Sequence, residues 1–341
     1  MNRQQSFAVG AAVGALTAVA GARLARRRHA IDFNGRTVIV TGGSRGLGLV
    51  LARRLAAEGA RLCLLARHQP DLDRARAQLE SGGAVDVTTM RCDLRRRAEV
   101  QATIDRLLET WPAIDVLINN AGVIQVGPLE HMQQEDFENA MATHFWGPLS
   151  LIQACVPSMR RRGFGRIVNI SSIGGRIAVP HLAPYSASKF ALTGLSDALR
   201  AELNQYGIRV TTVCPGLMRT GSPRNAFVKG QHEAEYAWFA IADALPGMSV
   251  SAERAAREII DACRHGDPDL TISLPAKAAV WANALAPSAV AAGMMAINRL
   301  LPGPNGEAGD RQKRGQDSES RWAPSLATTL SDRAAVANNE V

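Results

Sequence analysis

The 341-residue chain has little cysteine, and what it has is unpaired. Cys63, Cys92, Cys155, Cys214 and Cys263 are scattered, odd in number and never spaced as CxxC. That excludes a disulfide framework and a structural zinc site, and it fits a reducing compartment. Aromatic residues make up only 5% of the chain. No fixed-period repeat appears, which excludes a solenoid. Neither charge sign dominates: 39 Lys+Arg against 31 Asp+Glu leave a formal balance of +8. The arginines cluster at Arg23, Arg26, Arg27 and Arg28, at Arg95–Arg97 and at Arg160–Arg162. Nothing in the spacing puts these clusters on one face with aromatics between them, as a nucleic-acid surface needs. They read as solvated helix ends and loops, and no nucleic-acid partner is expected. At 46% hydrophobic and 21% charged residues, the composition is that of a folded protein. Global disorder, a collagen and a polytopic membrane protein are excluded.

Long hydrophobic runs are also scarce. Phe7 to Ala22 is apolar and small, followed by the arginines at 23–28, but it falls short of the ~20 residues needed to cross a bilayer. Residues 1–30 are therefore expected to form an apolar N-terminal helix that attaches to a membrane. The arginines behind it would keep the main domain cytoplasmic, at the inner face. A secretory signal and a docked terminal helix are the competing readings. Ala278 to Ile297 is a second apolar stretch, broken by Asn283, Pro287 and Ser288. It reads equally as a core or dimer-interface helix pair and as a membrane-surface element within a helical extension at 276–302. Residues 303–341 hold few large apolar groups and are expected to stay disordered.

Between these ends, short apolar runs alternate with helical stretches. TVIVT (Thr37–Thr41), RLCLLA (Arg61–Ala66), VTTMRCD (Val87–Asp93), IDVLINNAG (Ile114–Gly122), RIVNISS (Arg166–Ser172) and RVTTVCPG (Arg209–Gly216) read as strands. Leu47–Ala60, Asp71–Ser81, Ala98–Trp111, Phe137–Arg162 and Ser186–Tyr206 read as helices. The strands are apolar throughout, as expected when both faces of a sheet are covered. The fold class is α/β: a Rossmann-like doubly wound parallel sheet with helices on both faces over residues 31–275, flanked by the two apolar extensions.

TGGSRGLG (Thr41–Gly48) sits after a strand and opens a helix. Gly42, Gly46 and Gly48 let the backbone approach a pyrophosphate, and Ser44, Arg45 and Leu47 complete the loop. The helix directs its positive end at the phosphates. The second strand ends with Arg67 where a carboxylate for the ribose hydroxyls of NAD would sit. Arg45 is a second cation for a 2′-phosphate, so the expected cofactor is NADP(H). Tyr185 and Lys189 are four apart and share a helix face. An ammonium beside a phenol favours the phenolate and lowers a pKa that is ordinarily near ~10, making the phenol a proton donor and acceptor. Ser172 ends an apolar strand at the carboxyl edge, where it can hold a substrate oxygen; Ser171, on the opposite side of the strand, packs or caps.

Taken together, TGxxxGxG, Asn119-Asn120-Ala121-Gly122, Ser172, Tyr185-x-x-x-Lys189, and Pro215-Gly216 with Thr220 resemble the short-chain dehydrogenase/reductase family over about Arg36 to Thr220. The resemblance implies an enzyme that interconverts a carbonyl and a secondary alcohol with Tyr185 as general acid/base. It implies Asp93 at the adenine (a helix N-cap is the alternative), Asn119, Asn120, Ala121 and Gly122 along the cofactor edge, Lys189 on the nicotinamide ribose, and Pro215, Gly216 and Thr220 in the site. It implies pairing of long helices into a homodimer or homotetramer, and a substrate loop at 217–250. That loop holds Phe227, Tyr236, Trp238, Phe239, Leu245 and Met248, with Phe145 and Trp146 nearby, which suits a lipophilic substrate. One residue departs from the family pattern: His144 stands where members carry an asparagine that holds a water linking the lysine to solvent. His144 either replaces that relay or closes it. A nucleotide-binding scaffold and a dehydratase or epimerase on the same fold are the rival functions.

Overall fold

The structure is a computed structural model that describes residues 26, 28–84, 86–325 and 328–341. The apolar stretch Phe7–Ala22 lies outside the described residues.

The chain alternates strand and helix through β1 (Thr37–Thr41), α1 (Gly46–Ala57), β2 (Arg61–Ala66), α2 (Gln69–Ser81), β3 (Val87–Arg91), α3 (Arg97–Thr110) and β4 (Val116–Asn119). After β5 (Gln125–Val126) come α4 (Gln134–Met141), a π-helical turn (Ala142–Trp146) and α5 (Gly147–Arg162). Next are β6 (Gly165–Ile170), α6 (Ala183–Leu203), β7 (Ile208–Pro215), β8 (Met218–Arg219), α7 (Ser222–Asn225) and β9 (Phe227–Val228). Then follow α8 (His232–Ala244), β10 (Val250–Ser251), α9 (Ala252–His265) and β11 (Asp269–Ile272). The C-terminal part holds α10 (Leu274–Leu285), α11 (Pro287–Asn298), β12 (Lys313–Arg314) and α12 (Thr329–Ala337).

The strands form a seven-stranded sheet ordered β11-β7-β6-β4-β1-β2-β3. Every pairing in it is parallel. β1 is buried at all its positions because both faces are covered, which explains why TVIVT does not alternate. One face packs α1 and α9 through Leu49, Leu51, Leu55, Ile259 and Ile260. The other packs α3 and α5 through Ile104, Leu107, Leu151 and Met159. Strand order reverses between β1 and β4, so the crevice that binds ligands in such sheets opens at their carboxyl ends.

Two parts at the C-terminal end narrow, or overturn, the sequence readings. α10 and α11 exist, but Ala276 is their only buried residue, so they are not core helices. None of the described helices is long and apolar enough to cross a membrane. Of residues 303–341, expected to be disordered, 303–325 and 328–341 instead fold back on the domain. β12 pairs antiparallel with β9, and Ala323 is buried against Val228 and Tyr236. The physical reason is that small residues suffice there: a Cβ on Gly315 would already touch the Tyr236 ring. The polar end of the segment is held by Arg53, which donates to the Asn338 side chain and the Ala337 carbonyl, each at 2.8 Å.

Candidate active site

A cleft of about 800 Å³ lies over the carboxyl ends of β1, β4, β6 and β7. It is lined by Gly42, Ser44, Arg45, Gly46 and Leu47 of the glycine loop, by Arg67 and Asp93, and by Asn120, Ala121 and Gly122. His144, Ser172, Tyr185, Lys189, Pro215, Gly216 and Thr220 line it too. The sequence-predicted residues are thus brought together, with Gly48 and Asn119 just behind the wall. Gly48 is needed for close approach, since a Cβ there would overlap the Gly42 carbonyl and the Asn120 amide. Asn119 reaches away from the cleft and donates to Asn169 at 2.7 Å. The glycine loop and the NNAG turn are tied at Thr41, whose hydroxyl accepts the Asn120 and Ala121 N–H groups at 2.9 and 3.0 Å.

Gly46 opens α1 with φ +55°, a conformation natural to glycine. Arg45 at the N-cap makes no side-chain cap, and the first turn has no acidic residue. The positive end of the helix therefore faces the cleft without a capping side chain. The rim beside it is cationic. Arg67 has its pKa lowered by burial and by the charges of Arg95, Arg45 and Arg314, with Asp93 opposing. The carboxylates on this rim are committed elsewhere: Asp93 pairs with Arg95 at 2.7 Å and Asp71 with Arg74 at 2.6 Å. Among the described residues, the guanidinium groups of Arg45, Arg67 and Arg314 have no hydrogen-bond or ion-pair partner. Arg314 lies over the Phe227 ring, 4.9 Å from its centre, within reach of a cation–π contact. Sequence reasoning missed Arg314, because nothing in a polar tail signals that it returns to the site.

At the other end of the cleft, α6 carries Tyr185 and Lys189 on one face, with the ammonium 5.6 Å from the ring centre. Lys189 Nζ donates to the Ile170 carbonyl at 2.8 Å, which aims it into the cleft from beneath β6. Ser172 accepts the Gly174 N–H at 3.0 Å. Ser171 points the other way, bonding Thr193 at 2.8 Å and the Lys189 carbonyl at 3.0 Å, so it packs as expected. The expected lowering of the Tyr185 pKa by Lys189 is not what the structure gives. Burial outweighs the hydrogen bond with Ser172 and pushes the phenol up to about 12. The same burial pushes Lys189 down to about 8. Desolvation of both groups exceeds the help each charge could give the other.

His144 sits in the π-helical turn and is fully buried. Its Nε2 accepts the Val123 N–H at 3.1 Å, so the proton is on Nδ1, which donates to Ser188 Oγ at 2.7 Å. Ser188 in turn donates to the Tyr185 carbonyl at 2.8 Å. Burial first, then the Lys189 charge, holds His144 well below the usual histidine range. Both ring nitrogens are spent on structure, and no hydrogen bond to Lys189 is made. The geometry fits a positioning residue that braces the first turn of α6, and of the two sequence readings it fits a closed relay better than a replaced one.

The aromatic residues of 217–250 divide. Phe227 lines the cleft. Phe239 and Trp238 pack with Ile124, Val179 and Leu182 around Tyr185. Tyr236 faces the C-terminal segment instead, and Leu245 and Met248 are exposed. Asp243 was not foreseen. It is buried on α8, accepts the Met218 N–H at 3.1 Å through Oδ1, and leaves Oδ2 without a partner among the described residues. Burial pushes this carboxyl up to about 8.

Known proteins resemble the chain throughout this region. A family model described as short chain dehydrogenase matches residues 36–229. A "dehydrogenase/reductase SDR family protein 7-like" of Anopheles gambiae is 33% identical over 267 residues, covering 77% of this chain and 83% of that protein. A "dehydrogenase/reductase SDR family member 7B" of Bos taurus is 33% identical over 256 residues, or 73% of this chain and 77% of that one. A short-chain dehydrogenase from Streptomyces avermitilis superposes with TM-score 0.65 at 28% identity, over 78% of this chain and 99% of that chain. A metagenomic short-chain oxidoreductase in complex with NADP gives TM-score 0.58 at 27% identity, over 71% and 97% of the two chains. With its fold, its glycine loop and its Ser/Tyr/Lys set in one cleft, the chain belongs to the short-chain dehydrogenase/reductase family.

Proposed function

We propose that the protein is an NADP(H)-dependent oxidoreductase that interconverts a carbonyl and a secondary alcohol on a lipophilic substrate. The observation that carries the cofactor choice is the rim of Arg45, Arg67 and Arg314, whose guanidinium groups have no partner among the described residues while the nearby carboxylates do. These three would hold the 2′-phosphate. Ser44, Gly46 and Leu47 at the open end of α1 would hold the pyrophosphate, Asp93 the adenine, and Asn120 to Gly122 the cofactor edge. Lys189 would bind the nicotinamide ribose, with Pro215, Gly216 and Thr220 opposite. When bound there, NADPH supplies the hydride.

Tyr185 supplies the proton. A phenol held near 12 is neutral at pH 7, so the resting side chain is the donor that carbonyl reduction requires. Ser172 holds the substrate oxygen and stabilises the charge that grows on it. Lys189 titrates near 8 and is largely cationic at neutral pH, which favours the phenolate left after transfer. His144 holds the α6 turn through Ser188 so that the phenol keeps its aim. The apolar wall of Ile124, Val179, Leu182, Trp238 and Phe239 beside Tyr185 supports a lipophilic substrate.

The same substrate class suits the helix pair α10–α11. Its exposed side chains include Trp281 (69%), Leu285 (80%) and Met295 (64%), and no charged residue lies between Lys277 and Arg299. A pair this apolar on the outside, with cations at both ends, fits the headgroup boundary of an anionic bilayer. The enzyme would then work in the cytoplasm at the inner face of a membrane. A shallow groove on α5 and α6, formed by Leu149, Ile152, Val156, Leu199 and Tyr206, supports a homodimer or homotetramer.

The test is loss of NADPH absorbance with a panel of carbonyl compounds. Consumption with steroid-like, retinoid-like or long-acyl ketones supports the reading. Dinucleotide binding without turnover on any member of the panel favours a scaffold, and product without net NADPH loss favours a dehydratase or epimerase.

A further inference from the structure

The dinucleotide cleft contains part of this chain's own C-terminus. α12 ends at Asn338, Asn339 adopts φ +59°, and Glu340 turns inward. Glu340 lines the cleft together with Gly42, Ser44, Arg45 and Gly46, and only 7% of it is exposed. Its Oε2 accepts the Gly221 N–H at 2.6 Å. The carboxylate lies 3.0–3.2 Å from where a Cβ of Gly46 would stand. The Asn338 carbonyl accepts the Gly46 N–H, the first of α1, at 2.8 Å. Arg53, further along α1, clamps Asn338 and Ala337 from outside.

A carbonyl oxygen thus takes up the first N–H of α1, which has no side-chain cap of its own, and a carboxylate stands beside it. An N–H from α1 and an N–H after β7 are donors that a bound pyrophosphate would use. A phosphate oxygen and a carboxylate oxygen cannot occupy one cradle, and two anions in one buried site repel. We propose that Asn338 to Glu340 are a built-in stand-in for the pyrophosphate, so that NADP(H) binds by displacing the C-terminal segment.

The docked segment is not fully satisfied. The Asn338 side-chain nitrogen is buried without a partner among the described residues. Burial pushes the Glu340 carboxyl up to about 7, and the Gly221 hydrogen bond and the Arg45 charge offset this only in part. The docked form therefore carries an unmet polar group and a strained ionisation. Affinity for the dinucleotide is reduced by the fraction of molecules in which the segment is docked. Because α12 packs on α8 and β12 pairs with β9, the released residues stay close and compete again when the cofactor leaves.

This proposal rests on the cofactor reading above, and the experiment separates the two. NADPH and NADH binding are titrated by fluorescence on the full-length chain, on Glu340→Gln and on Glu340→Ala. Hydrogen exchange across 329–341 is followed with and without saturating NADPH. The expected result is NADPH binding about ten-fold tighter in Glu340→Ala, an intermediate value in Glu340→Gln, and faster exchange of 338–341, with α12 still protected, in the wild type when NADPH is bound. Equal, tight binding in all three chains, with 338–341 protected throughout, overturns the stand-in and leaves the cofactor reading intact. Binding of neither dinucleotide by any of the three overturns both.

Discussion

Replacing Arg67 by glutamate tests the cofactor choice most directly. The guanidinium has no partner among the described residues, so the change breaks no ion pair and should leave the fold intact. A charge-assisted hydrogen bond to the 2′-phosphate contributes about 1.5–3 kcal/mol, and this is lost. A carboxylate placed about 6 Å from the phosphate adds a repulsion of about 3 kcal/mol per unit charge at an effective dielectric of about 20. Arg45 and Arg314 remain and screen part of it, as does the aqueous rim. The net loss should be about 3–4 kcal/mol, or roughly 150- to 1,000-fold in the NADPH dissociation constant. NADH lacks the phosphate, so its affinity should change by less than about 3-fold, since none of the lost terms applies to it. Isothermal titration of both dinucleotides on both chains measures the ratio. A loss shared equally by NADPH and NADH would mean that Arg67 shapes the pocket without reading the phosphate. An unchanged ratio would falsify the phosphate site outright.

Other outcomes follow from the same geometry. Tyr185→Phe should keep NADPH binding and lower kcat by about 10²- to 10⁴-fold, the usual worth of a positioned acid; rapid-mixing kinetics would separate the two. His144→Ala should lose about 2–4 kcal/mol of stability, read by denaturant titration, because the Val123 N–H and Ser188 Oγ lose a buried partner, while His144→Asn should recover part of this. The pH dependence carries a sign. The folded state holds His144 below its unfolded pKa, so it contributes stability above about pH 6.5 that is lost as pH falls toward the folded value. The melting-temperature drop between pH 7.5 and pH 5.5 should therefore be smaller in His144→Asn than in the wild type, and an identical drop would show that the ring titrates freely. The α10–α11 pair should carry the protein up a sucrose gradient with anionic vesicles, and Trp281→Glu with Leu285→Glu should abolish this; flotation that survives both changes places the contact elsewhere.

The central sheet was legible because its causes are local. A run such as TVIVT, apolar at every position, has few explanations besides a strand covered on both faces, and the glycine loop announces a backbone brought close to its neighbours. The reacting groups were legible for a similar reason: i and i+4 on a helix must share a face, so Tyr185 and Lys189 meet in any correct fold. Their ionisation was not. Burial is a property of everything packed around a group, and it reversed the expected sign for Tyr185. The same holds for His144, where sequence reveals the departure from asparagine but not that Val123 and Ser188 consume both nitrogens. The break of one long helix into α4, a π-helical turn and α5 had a signal, Gly147-Pro148 just after the turn, which a single helix over Phe137 to Arg162 passes over.

The C-terminal segment shows where composition misleads most. Disorder is inferred when a segment holds too little apolar surface to offset the entropy of fixing it. Residues 303–341 satisfy that description, yet they are ordered by contacts that composition does not count. Gly46 and Gly221 have backbone N–H groups that need acceptors, Arg53 has a fork that needs oxygens, and the polar tail supplies them. A cleft built to bind a polar, anionic ligand has donors to spare, and a polar, acidic chain end is well suited to borrow them. The polarity that makes this segment look unstructured by itself is therefore also what lets its last residues dock on those donors. Order of this kind should be conditional: saturating the cleft with NADPH should return Asn338 to Val341 to the exchange rates of a free peptide while α1 and the central sheet slow.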